Sequence, residues 1–125
     1  MVRCLLTIII TSLIIISGAI YENYFIHSTF DEMHVMLDEV HQKLENEQAT
    51  VSDIIAVQDF WITKKKHLHA YIPHTEIKEV DLWISECVTY TKYQKFDDAE
   101  AKIEVVRELC EQIPKSFLIK IENIF

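Results

Sequence analysis

Apolar and polar positions alternate along this chain in two quite different ways. From Cys4 to Ile20, CLLTIIITSLIIISGAI, seventeen residues carry no charge. A helix over them spans roughly 26 Å, the short end of what crosses a hydrocarbon core of about 30 Å, and Val2 and Tyr21 extend it slightly. Beyond this run the apolar residues fall into helical seams. Phe30, Met33, Leu37, Val40 and Leu44 step by 3, 4, 3 and 4, which a helix places along one face. This first helix continues out of the apolar run and ends near Asn46. Thr50 or Ser52 starts the second helix, which carries Ile54, Trp61 and Leu68 at intervals of seven, with Ile55, Ile62 and Ile72 beside them, and Pro73 ends it.

His74 or Thr75 starts a third helix with the seam Ile77, Val80, Ile84 and Cys87, ending close to Tyr93. Phe96-Asp97-Asp98-Ala99 reads as the next helix start, with Asp97 as cap. Ala99, Ile103, Val106, Cys110 and Ile113 make its seam, and Pro114 stops it. Ser116 to Phe125, SFLIKIENIF, then packs as a short last turn or an extended strap. Short connections require antiparallel neighbours. The predicted fold is all-α: an N-terminal transmembrane helix, then an antiparallel four-helix bundle or two stacked helical hairpins.

Composition sharpens this picture. Gly18 is the one glycine, and Pro73 and Pro114 are the two prolines, so there is little with which to build turns between strands. Arg3 precedes the apolar run, while Glu22, Asp31 and Glu32 follow it, so the positive-inside bias points the amino terminus to the cytoplasm and residues 22–125 out of it. The expected organisation is a membrane anchor at residues 1–21 and one extracytoplasmic helical domain at residues 22–125, in a single-pass protein of the cell membrane. Ser17-Gly18-Ala19 also offers small residues where a signal peptidase cuts, so the alternative is a domain secreted after signal cleavage.

With Arg3 assigned to the anchor, eleven Lys and Arg face twenty Asp and Glu in the domain, a net charge of −9 with His neutral. Such a surface repels phosphate backbones, which argues against nucleic acid as a partner. The charge is uneven: residues 22–48 hold seven acids and one lysine, whereas Lys64, Lys65 and Lys66 are consecutive. Cys4 belongs to the apolar run. In a hairpin turning near Lys95, Cys110 lies seven residues past the position opposite Cys87, about 10 Å at helical rise and outside disulfide reach. Both read as small apolar core residues.

Two constellations carry candidate chemistry. His27, Asp31, His34, Asp38, His41 and Glu45 are spaced 4, 3, 4, 3 and 4 beside the first seam, all on one face. His34, Asp38 and His41 can supply three ligands to Zn(II) or a similar ion, or the stripe can respond to pH. It can equally be a polar flank of ordinary helix-surface pairs. The second is Trp61, Lys64, Lys65, Lys66, His67, His69 and His74. It is either a cationic patch for an acidic partner, headgroup or cell-wall polymer, or a structural group in which the lysines answer the acidic first helix and Trp61 is core. The sequence holds no nucleophile elbow, phosphate-cradling glycines or metalloprotease helix, so neither an enzyme nor a cofactor is expected.

The short apolar amino-terminal segment, Trp61 followed by lysines, Ile72-Pro73-His74-Thr75-Glu76-Ile77 between helices, Ala99 in an acidic helix start, Ile113-Pro114, and Glu122-Asn123-Ile124-Phe125 together make a layout that resembles a family of small bacterial proteins, domain of unknown function 4363. Pro73 stands where the family more often has an acid. The resemblance implies a membrane-tethered helical domain, encoded beside a multi-pass membrane protein and so sharing a complex with it, and assigns no catalytic residues. The function expected is that of a membrane-anchored protein-interaction module, an accessory subunit of a membrane protein complex. The alternative is a metal-binding or pH-responsive module using the His and acid stripe.

Overall fold

The computed structural model describes residues 1–124, with side chains as far as Phe117. The described residues form four helices and no strand: α1 (Val2–Glu45), α2 (Val51–Leu68), α3 (His74–Lys92) and α4 (Phe96–Ile124). Each helix packs against its chain neighbours, and α4 closes the ring against α1, while among the described residues the diagonal pairs make no close backbone approach. With connections as short as 46–50, 69–73 and 93–95, this is an up-and-down four-helix bundle rather than two separate stacked hairpins.

α1 has 44 residues, about 66 Å of helix, and two different halves. Every residue from Met1 to Tyr21 is exposed, and from Ile26 onward each turn sends a side chain into the core. All the apolar positions assigned to the four seams are buried: Phe30 to Leu44 on α1, Ile54, Trp61 and Leu68 on α2, Ile77 to Cys87 on α3, and Ala99 to Ile113 on α4. Ile55 and Ile62, expected beside the α2 seam, instead lie 38% and 41% exposed on its outer side. The reason is angular: at 100° per residue, a position next to a seam residue points away from the bundle axis.

The two turns that reverse the chain at the far end are made without glycine. Glu47 and Gln94 take left-handed φ values of 55° and 57°. In each case the following amide reaches back over a full turn, Gln48 N to Lys43 O at 2.8 Å and Lys95 N to Tyr90 O at 2.9 Å, which satisfies carbonyls that a helix end would leave open.

Three sequence expectations about helix ends are corrected. α2 stops at Leu68, not at Pro73, because the amides of Tyr71 and Ile72 both fold back on the Leu68 carbonyl and swing Ile72 into the core. Pro73 then caps α3. α4 begins at Phe96, so Asp97 and Asp98 lie inside its first turn, where carboxylates complement the dipole, and Asp97 is not the cap. Pro114 does not stop α4, which runs through it to Ile124. Proline costs the helix one hydrogen bond and a clash with a carbonyl, about 3 kcal/mol. Here Ile113 and Pro114 are buried, and Phe117 packs against the core one turn further on, so continuation recovers apolar burial that termination would forfeit. How the side chains of residues 118–125 pack lies outside the described residues.

The start of α2 is held by a capping box. Thr50 Oγ1 accepts from the Asp53 amide at 3.4 Å, and Asp53 Oδ2 accepts from the Thr50 amide at 2.8 Å. Lys43 Nζ reaches Asp53 Oδ1 at 3.1 Å and ties the end of α1 to the start of α2. The Thr50 amide, assisted by Lys43 and opposed by partial burial, holds the Asp53 carboxyl below its ordinary value of 3.8. A depressed folded pKa gives stability that is present above the unfolded value and lost as pH falls through the folded one. We therefore expect Asp53→Asn to cost about 1 kcal/mol at neutral pH and to flatten the loss of stability below about pH 4. Chemical denaturation of both proteins across that range checks it, and parallel curves would refute the assignment.

Candidate functional site

The flank of α1 beside its apolar seam faces α4, and the two together form an ionic ladder. At its far end His41 Nε2 lies 2.6 Å from Glu104 Oε1 and 3.4 Å from Glu100 Oε1, while His41 Nδ1 lies 3.5 Å from Glu45 Oε1. Arg107 spans the middle, with Nη1 donating to Glu104 Oε1 at 2.6 Å and Nη2 to Asp38 Oδ1 at 2.8 Å. Asp38 Oδ2 in turn lies 3.5 Å from His34 Nε2. Below this, His27, Asp31 and His34 border a cleft of about 340 Å³ with Cys110, Glu111 and Lys115 of α4.

This geometry distributes the three residues singled out from sequence. His34 and Asp38 meet each other, but Asp38 is engaged by the Arg107 guanidinium, a charge-assisted bond that competes with any cation there. His41 faces a different set. Among the described residues, the group whose ligand atoms come within 4.8 Å of one another is His41, Glu45 and Glu100. One imidazole and two carboxylates suit a borderline or hard divalent ion such as Zn(II) or Mn(II). The His41 side chain is only 15% exposed, so it is the ordered member, and Glu45, at 53%, is free to adjust. Glu104 holds the same imidazole nitrogen that faces Glu100, so an ion bound through Nε2 would have to displace it. Glu100 and Glu104 were not part of the sequence reading because they belong to a different helix. Their four-residue spacing on α4, matching that of His41 and Glu45, was the available signal.

The second constellation divides differently. Trp61 is core, 1% exposed, and its Nε1 donates to Asp81 Oδ1 at 2.6 Å. Lys65 Nζ donates to the other oxygen, Asp81 Oδ2, at 3.0 Å. The carboxylate that answers this lysine is thus on α3 and not on the acidic first helix, because the Trp61 seam turns α2 toward α3 at that level. Lys64 does approach α1, but over an aromatic ring: its Nζ is 5.9 Å from the Phe25 centroid and 5.6 Å from that of Phe60. Lys66 and His67 border a cleft with Tyr21, Phe25, Ala70 and Tyr71.

Cys87 and Cys110 are free and buried, as the hairpin arithmetic required. Burial pushes both thiols up to about 12, since a thiolate would lose its hydration there. Cys87 Sγ donates to the Ala99 carbonyl at 3.6 Å, which uses its weak donor across the α3–α4 contact. Both are packing residues with no nucleophilic character.

Val2–Glu45 is a helix whose first half is long and apolar enough to cross a membrane. No curated protein and no solved structure matches the chain. The family model described as Domain of unknown function (DUF4363) matches residues 20–124, a stretch that begins where the apolar run ends and takes in all four seams, and the chain belongs to that family.

Proposed function

We propose that this protein is a single-pass membrane-anchored interaction module, an accessory subunit whose helical bundle binds a membrane protein, with no chemistry of its own. The observation that carries this reading is the continuity of α1. One unbroken helix is apolar and fully exposed over its first half and forms the core seam of the bundle over its second. The hydroxyls of Thr7 and Thr11 donate back to the carbonyls of Arg3 and Thr7 at 2.8 and 2.7 Å, so these polar groups are satisfied within the helix, as a bilayer requires. A helix without a joint keeps the bundle close to the membrane surface. Confinement to that plane raises its effective concentration for a neighbour.

The test is purification of full-length protein, tagged at its carboxyl terminus, from detergent-solubilised native membranes. A multi-pass protein recovered in near-equal amount supports the reading. Recovery of the tagged chain alone, starting near Ile20, overturns it in favour of a released domain.

The His41 cluster favours a second reading, a divalent-cation site that clamps α1 to α4. A ligand at a hundredfold excess over its Kd adds about 2.7 kcal/mol to stability. Zinc is then expected to raise the melting temperature of the full chain in detergent, with the rise lost in His41→Ala and retained in His34→Ala. No rise, or a rise that survives His41→Ala, removes this reading.

A further inference from the structure

The stretch that turns from α2 into α3, at the end of the bundle nearest the apolar half of α1, is cationic in an otherwise acidic chain. From Lys64 to His74 the sequence reads KKKHLHAYIPH, three lysines and three histidines without an acid, in a chain of net charge −8. The turn between α2 and α3 folds this stretch against the first residues that follow the apolar run. The rings of Phe25 and His67 meet edge-on at 5.9 Å, and those of His69 and His74 lie 5.3 Å apart. Lys65 is paired with Asp81, but Lys64 and Lys66 have no carboxylate partner among the described residues. Glu22 faces Tyr71, whose phenol is held above its ordinary value by burial first and by that carboxylate second. The carboxyl end of α2 brings a negative dipole end here, and the amino end of α3 a positive one, so the side chains set the balance.

Between α1 and the end of α2 this region opens as a cleft of about 330 Å³ lined by Tyr21, Phe25, Lys66, His67, Ala70 and Tyr71. Its height follows from helix geometry. The centre of the Cys4–Ile20 run is Ser12, and residue 23 lies eleven residues beyond it, about 16 Å along the axis. Half a hydrocarbon core is about 15 Å. The cleft therefore opens at the level where phosphates meet acyl chains, with cationic groups and apolar rings on its walls in the same vertical range.

We propose that this cleft binds the phosphodiester of an anionic phospholipid in the leaflet beneath the bundle. Lys66 and His67, level with Phe25, donate to the phosphate, and Tyr21 and Ala70, nearer the apolar run, border its first acyl carbons. The inference rests on the reading of α1 as a membrane anchor.

The test is native mass spectrometry of the full chain released from micelles containing equal phosphatidylglycerol and phosphatidylcholine, alongside alkaline extraction of the same protein from membranes. Wild type is expected to retain phosphatidylglycerol in preference. Lys66→Gln is expected to lose roughly fivefold of that preference, and Lys66→Gln with His67→Gln more, while both variants stay in the membrane pellet. Both side chains are exposed, so neither change threatens the fold. If wild type stays in the pellet but shows no preference, or the variants keep it, the lipid site is wrong and the anchor stands. Displacement of the lipid by millimolar inorganic phosphate would make the ligand free phosphate and overturn the lipid assignment. Extraction of wild type from the membrane overturns the anchor and the lipid site with it.

Discussion

Trp61→Ala lowers the stability of the bundle by about 3–5 kcal/mol, the largest effect expected of any single substitution in the domain. The indole is 1% exposed, packs against Phe30 with ring centroids 6.2 Å apart, and donates to Asp81. Its removal leaves a cavity where α1, α2 and α3 converge and takes one of the two donors from Asp81. In a domain of about a hundred residues this lowers the melting temperature by more than about 12 °C. Trp61→Phe keeps most of the apolar volume while losing the N–H and part of the indole ring, so it is expected to cost less, about 2 kcal/mol. Thermal unfolding of the full chain in detergent, followed by circular dichroism, reads both. Equal losses for the two variants would mean that the hydrogen bond, and not the packing, holds this part of the core.

Ile10→Arg has a comparable effect on a different property. Ile10 is 51% exposed, near the middle of the apolar run and remote from the bundle core. An arginine near the centre of a membrane helix costs about 2.5–3.5 kcal/mol, on the order of a hundredfold in the inserted population. Wild type and Ile10→Leu are expected in the pellet after alkaline extraction of membranes, and Ile10→Arg largely in the supernatant. The melting temperature of the bundle should not change, because Ile10 touches none of its core. A wild type that extracts freely, or an arginine variant that does not, refutes the anchor.

Much of the fold was legible because the relevant signals are local. A seam spaced 3 and 4 residues apart can be buried in only one way by a helix, and every seam position assigned from sequence is in the core. The helix ends were less legible, for reasons visible at each. Pro114 is a strong stop by its own chemistry, and only the apolar residues around and beyond it, packing on other helices, make continuation favourable. Leu68 ends α2 through two backbone bonds that no residue type announces.

The candidate sites divide along the same line. The stripe from His27 to Glu45 was readable because its members share one helix. Which carboxylates His41 meets was not, since Glu100 and Glu104 are some sixty residues away and reach it only through the register of α4 against α1. The same register assigns Asp38 to Arg107, and the packing of α2 on α3 assigns Lys65 to Asp81.

By itself, then, the sequence determined the apolar run, the four amphipathic helices and the buried face of each, because hydrophobic periodicity is a property of one segment and its solvent. The pairing of polar flanks, the passage of α4 through Pro114, and the basic cleft beside Tyr21 were decided only in the tertiary structure. Each of these depends on the relative height and rotation of two helices. That is set by core packing and turn length together, and no single stretch of sequence carries it.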